Sequence, residues 1–132
     1  MSNEKMEIRE DEQIKIVPKG WGEERWIHND ELYCGKLLVL KQGKHCSLHY
    51  HELKTETFYI AKGSLRMELT SLDQARREPP EINEVFEMSE GEAIVLRPGM
   101  VHRFTGLAEE THIFEFSTEH FDEDSKRIVK GD

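Results

Sequence analysis

The chain has 132 residues, 27 acidic against 18 basic side chains for a formal net charge of −9, and a mean hydropathy of −0.70. That length holds one hydrophobic core; the charge repels a nucleic-acid backbone, with no cluster of Lys and Arg to offset it. No apolar run is long enough to span a bilayer, so neither nucleic acid nor membrane is an expected partner.

In chain order, residues 1–12 are a charged segment, MSNEKMEIREDE, without the apolar stretch of an export signal. A cytoplasmic protein is expected, and in that compartment Cys34 and Cys46, the only cysteines, are reduced thiols rather than a disulfide. A turn or two of helix is the most that residues 4–14 offer. PKGWGEERWIHND then reads as a turn and a strand carrying Trp21 and Trp26. Short apolar runs follow at 37–40, 57–61, 65–69, 85–88, 93–96, 101–105 and 111–116, separated by Gly- or Pro-containing turn signals. The runs 57–61 and 65–69, joined at Lys62-Gly63, predict a hairpin. Residues 70–83, with Pro79-Pro80, predict a loop with at most one helical turn at 71–77. Residues 119–132 form an acidic C-terminal segment, and the acids of 4–12 and 109–124 are expected to be solvated. The prediction is a single all-β domain over 13–118, a closed and mostly antiparallel sandwich or barrel.

The chemistry concentrates in KHCSLHYHELKTETFYIAKG. Side chains alternate along a strand, so an extended 45–51 puts His45, Ser47, His49 and His51 on one face and Cys46, Leu48 and Tyr50 on the other. Glu56 opens the next run on the parity of Phe58 and Ile60, and a carboxylate there needs a partner if buried. Two histidines one residue apart with a nearby carboxylate suit a divalent metal of the Zn, Mn or Fe type. His102, on the parity of Phe104 just past Pro98-Gly99, is the best fourth ligand.

The full spacing resembles the two-motif signature of the cupin superfamily. It runs Gly43, five residues, His49-x-His51, four residues, Glu56, six residues and Gly63, then Gly91, Pro98-Gly99, two residues and His102. The resemblance implies a small double-stranded β-helix, a jelly-roll barrel, with one divalent metal ion (Mn, Zn or Fe) on His49, His51, Glu56 and His102. His45 has no ligand role in it. Two positions depart from the pattern: Arg97 stands where proline is usual, with Pro98 following, and Gly106 replaces a frequent asparagine.

YCGKLLVL, KTETF and IFEFSTEHFDEDSKRI are similar to segments of D-lyxose isomerase and related sugar-isomerase cupins. That resemblance implies metal-assisted proton transfer between C1 and C2 of a sugar or sugar phosphate, with Lys54 and Glu115 as catalytic residues. Glu115 shares a face with Ile113 and Ser117; an inward face would desolvate its carboxylate and raise its pKa toward that of a useful base. Arg97, Arg103, Arg66 and Lys62 would hold a phosphate if they converge. Trp21 and Trp26 are candidates for the sugar site or a subunit interface, and Tyr59 for the core. The alternatives are a non-haem iron dioxygenase and a non-catalytic metal- or small-molecule-binding cupin. A homodimer is compatible with all three.

Overall fold

The computed structural model describes residues 6–132. Residues 1–5, with the start of the expected helical turn, lie outside the described part; the remainder of that stretch forms one 3-10 turn, Asp11–Gln13. The strands are β1 (Lys15–Lys19), β2 (Gly22–Asn29), β3 (Cys34–Lys41), β4 (Leu48–His51), β5 (Glu56–Lys62), β6 (Ser64–Thr70), β7 (Glu84–Ser89), β8 (Ala93–Leu96), β9 (Val101–Gly106), β10 (Glu110–Ser117) and β11 (Ser125–Val129). They form a six-stranded sheet in the order β1-β2-β3-β10-β5-β8 and a five-stranded sheet in the order β11-β4-β9-β6-β7. All the strand pairs are antiparallel. No helix among the described residues is long and apolar enough to cross a membrane.

The inner faces change character along each strand, and this positions the site. On β3 the inward residues run Cys34, Lys36, Leu38, Leu40, and on β5 they run Glu56, Phe58, Ile60. Ile113 of β10 lies opposite Leu38 and Ile60, while Glu115 lies opposite Lys36 and Phe58. One end of the sandwich is therefore filled by Leu40, Ile60, Leu65, Met67 and Ile113, all fully buried. The other end carries the polar groups. A second apolar cluster, Leu48, Tyr50, Ala75 and Val101, covers the outer face of the five-stranded sheet beneath the one-turn helix α1 (Leu72–Ala75).

Four expectations are corrected. Residues 57–61 and 65–69 do not form a hairpin: β5 is flanked by β10 and β8, so the chain crosses to the other sheet at Gly63, whose φ is +79°. A Cβ there would lie 2.7 Å from the Glu110 carbonyl oxygen, so the crossing is tight as well as left-handed. Tyr59 is 38% exposed, because Phe58 and Ile60 take the inward parity. Residues 119–132 are more than a solvated end, since β11 pairs with β4 and Asp124 is buried. Cys46 does not share the outer face of Leu48 and Tyr50: it precedes β4, where the chain makes only an isolated bridge at His45, and it joins the inner core. Cys34 and Cys46 are both buried and free.

Candidate metal centre and its cavity

Three histidines meet where β4 and β9 pair. His49 and His102 are Cα partners with ring centroids 4.3 Å apart, and His51 stands two residues on, 5.2 Å from His49 and 6.0 Å from His102. One ligand nitrogen of each lies within 4.8 Å of the others. Nδ1 of His49 lies 2.8 Å from the Ser47 carbonyl, Nδ1 of His102 lies 3.0 Å from the Met100 carbonyl, and Nδ1 of His51 lies 3.2 Å from the Asp124 carbonyl. A carbonyl only accepts, so each Nδ1 carries its hydrogen and each Nε2 presents a lone pair. Burial, reinforced by the neighbouring imidazole of His102, takes the pKa of His49 down to about 3. Burial takes that of His102 to about 4.

Glu56 borders the cluster at His51. Its Oε2 lies 3.0 Å from Nε2 of His51, yet neither this oxygen nor Nε2 of His102 has a hydrogen-bond partner. A lone pair and a carboxylate facing each other at that distance, with another buried lone pair beside them, are an unfavourable set unless a cation lies between them. The three imidazole nitrogens thus fit a divalent metal ion by chemistry and by convergence, while the Glu56 carboxylate stands outside that 4.8 Å set, beside His51. The turn after β8 survives the Arg97-Pro98 order: Gly99 adopts φ +86° and donates its N–H to the His51 carbonyl at 2.8 Å.

Lys54 and Glu115 are brought together, both buried. Lys54 Nζ donates to Glu115 Oε2 at 3.0 Å, lies 3.0 Å from His120 Nδ1, and lies 3.8 Å from Glu56 Oε2. The expected rise of the Glu115 pKa does not occur. Burial pushes it up, but the ammonium groups of Lys54 and Lys36 outweigh burial and hold it at about 2. Lys54 in turn is raised, burial opposing its charge and the carboxylates of Glu115 and Glu56 together more than restoring it. The loop before β5 is fixed by Asp124, whose carboxylate accepts the backbone N–H groups of Glu52, Leu53 and Lys54 at 2.9–3.1 Å.

These groups open into a cavity of about 770 Å³. Trp21 and Trp26 line it. Arg97, Arg103, Arg66 and Lys62 do not: Arg103 is held by both oxygens of Glu68 at 2.9 and 2.8 Å, and Lys62 lies 3.9 Å from Glu110. His45 stays out of the cluster, with its ring at its own neighbour's carbonyl. Sequence reasoning missed His120, Asp124 and Lys36. Only Lys36 left a signal, a lysine on the inward parity of Leu38 and Leu40.

Residues 36–115 match the family model described as a cupin domain. No curated protein matches the chain in sequence. Among solved structures, the capsular polysaccharide assembling protein CapF of Staphylococcus aureus is similar at 15% identity, with a TM-score of 0.71, over 88% of this chain and 32% of that one. A tryptophan-to-tyrosine variant of the oxalate decarboxylase of Bacillus subtilis is similar at 17% identity and a TM-score of 0.72, over 88% of this chain and 30% of that one. KdgF of Halomonas sp. is similar at 14% identity and a TM-score of 0.69, over 86% of this chain and 94% of that one. The chain therefore spans about a third of the length of the first two, and at these identities the likeness is one of fold.

Proposed function

The chain belongs to the cupin family, and from that premise we infer that it is an aldose–ketose isomerase acting on an open-chain sugar with one divalent metal ion (Mn, Zn or Fe). His49, His51, His102 and Glu56 are the ligands in this reading, supported by the unsatisfied Glu56 Oε2 and His102 Nε2. The Mn(II) centres named for the Bacillus subtilis oxalate decarboxylase are consistent with a divalent ion. Bound there, the ion supplies Lewis acidity toward the substrate oxygens.

The observation that carries the reading is the Lys54–Glu115 pair, closed at 3.0 Å on the cavity wall beside the histidines. Glu115, ionised, takes the proton from C2 of the aldose; the electrons of that C–H bond form the C1–C2 double bond, and Lys54 gives its proton to O1. Glu115 then returns its proton to C1 and Lys54 recovers one from the C2 hydroxyl, which leaves the ketose. The two residues are coupled usefully: when Lys54 gives up its proton, the larger of the two charges that depress Glu115 is gone and the carboxylate becomes the stronger base. The likeness to CapF, a capsular polysaccharide assembling protein, is consistent with a carbohydrate ligand.

The same reading includes a cytoplasmic location and a homodimer. Tyr59, Val95 and Phe116, neighbours on the outer face of the six-stranded sheet, offer exposed apolar surface for pairing, and sedimentation of the wild type against Phe116→Lys tests it.

The test of the function is elemental analysis of the purified protein followed by NMR of aldoses and ketoses in deuterated water. Deuterium entering at C1 or C2 and lost in Glu115→Gln is the expected result. Bound metal with no exchange on any sugar overturns the isomerase.

A further inference from the structure

We propose that the ligand of this cavity is a sugar bearing an oxyanion, a carboxylate or a phosphate, held between Lys36 on the cavity wall and Arg127 at its edge. This rests on reading the cavity as a sugar site and adds the charge of the ligand.

The chain carries a net charge of −9, yet the cavity lining reverses that balance, with Lys15, Lys19, Lys36, Lys54, Arg127 and Lys130 against five carboxylates. Four of the five are already engaged, and Glu56 faces the histidine cluster. Glu24 lies 3.4 Å from Lys36 and 3.9 Å from Lys19, Glu115 3.0 Å from Lys54, Asp122 2.9 Å from His120 and Asp132 3.6 Å from His45. Among the described residues no carboxylate lies within 4.0 Å of Lys15, Arg127 or Lys130.

Lys36 is the built part of the site. It is 2% exposed, and its ammonium has three hydrogens to place. One reaches Glu24 Oε1 at 3.4 Å, an oxygen that already accepts from Trp26 Nε1 at 2.9 Å. The Lys36 charge also acts on Glu115, its Cα partner on β10, and the Trp26 ring lies 4.2 Å from Nζ, with Lys15 Nζ 4.5 Å from that same ring. Among the described residues the Lys36 ammonium has one hydrogen bond, at 3.4 Å, so an anion in the cavity gives its remaining hydrogens an acceptor. The arrangement follows from register, since Trp26 is the Cα partner of Lys15 on one side and of Lys36 on the other.

Arg127 comes from the opposite sheet. It is the Cα partner of His49 and lines the cavity beside the histidine cluster. Its planar guanidinium matches the paired oxygens of a carboxylate or phosphate. Because β1 and β11 are edge strands of the two sheets, positive charge reaches the cavity from both sides. A neutral sugar gives these cations no counter-charge, whereas an oxyanion also places its own hydroxyl-bearing carbons between them and the Lys54–Glu115 pair.

The experiment is calorimetric titration of the chelator-treated protein, so that no bound metal attracts the anion, with glucose, glucuronate and glucose 6-phosphate. At least one anionic probe is expected to bind about tenfold or more tighter than glucose and to weaken as salt rises from about 0.05 to about 0.3 M. Arg127→Gln, on an exposed side chain, is expected to reduce that preference about tenfold. Lys36→Met, with its fold checked by circular dichroism, is expected to do the same. Binding of glucuronate alone or of glucose 6-phosphate alone assigns the oxyanion. Equal affinity for all three, no binding of any, or a preference unchanged in Arg127→Gln overturns the proposal. The isomerase reading fails separately: anion preference without deuterium exchange sinks the reaction and leaves the ligand, while exchange on neutral sugars without anion preference does the reverse.

Discussion

Replacing Lys54 by Met removes the ammonium from Glu115 while keeping most of the side-chain volume. Glu115 is 4% exposed, and its carboxyl titrates at about 2 against an ordinary value of 4.5. That difference corresponds to on the order of 3 kcal/mol of stability, present above pH ~4.5 and lost as pH falls toward about 2. Breaking a buried ion pair from one side costs about 3–5 kcal/mol by a separate route, the uncompensated charge left behind. Urea denaturation of the metal-free protein at pH 7 should therefore find Lys54→Met less stable by about 3–5 kcal/mol. In the variant, burial pushes the Glu115 carboxyl up instead of Lys54 holding it down. The deficit should be largest at neutral pH and shrink toward pH 4, where the carboxyl takes a proton and the charge disappears. Lys54→Met/Glu115→Gln should recover much of the loss, because the double variant no longer buries the Glu115 carboxylate without the Lys54 ammonium. A cost below about 1 kcal/mol for Lys54→Met, or single-variant costs that simply add in the double, would refute the coupled pair.

Three further outcomes are expected. His49→Ala and His102→Ala should each strip the metal and lower the melting temperature to that of chelated wild type, because a ligand that binds only the folded state stabilises it; unchanged metal content by elemental analysis removes the ligand assignment. His49 and His102 titrate at about 3 and about 4 when folded against 6.5 when free, so the unfolded chain takes protons first as pH falls below 6.5. Stability of the metal-free protein should drop between pH 6.5 and about 4, more steeply than in His49→Gln, and a profile equally steep in both contradicts the burial argument. Asp124→Ala leaves three backbone N–H groups of the loop at 52–54 without their acceptor; a loss of about 2–4 kcal/mol in urea is expected, and a neutral result would mean that water replaces the carboxylate.

Much of the site was legible because strand alternation is local. The parity of Glu56 with Phe58 and Ile60, of His102 with Phe104, and of Glu115 with Ile113 sets all three acids and bases inward, as the structure has them. The hairpin expectation failed for a nonlocal reason. Lys62-Gly63 suits a two-strand turn as well as a sheet crossing, and the choice is made by β10 and β8 occupying both sides of β5. Lys36 was hidden by its apolar neighbours, although its inward parity beside Leu38 was readable. Acid-rich composition suggested solvated ends, but a carboxylate that accepts three amide hydrogens, as Asp124 does, is stable in burial. The Glu115 shift had the opposite sign from expectation because desolvation was weighed without its partners, and two lysines win against it.

The histidine cluster depends on the end of the chain as much as on its own motif. β11 pairs with β4, the Asp124 carbonyl orients His51 through Nδ1, and the Asp124 carboxylate holds the loop leading to Lys54 and Glu56. His120, just before this strand, is the second neighbour of the Lys54 ammonium. The apolar half of the sandwich is closed by Leu40, Ile60, Leu65 and Met67, side chains that stay buried without any charge to pair. Its burial stabilises the fold by an amount independent of pH or metal. The polar half can then keep paired charges and unsatisfied lone pairs, each costly alone. This division explains why residue type switches part-way along β3, β5 and β10 rather than between strands: a stable end and a reactive end share the same backbone, and the register carries the geometry from one to the other.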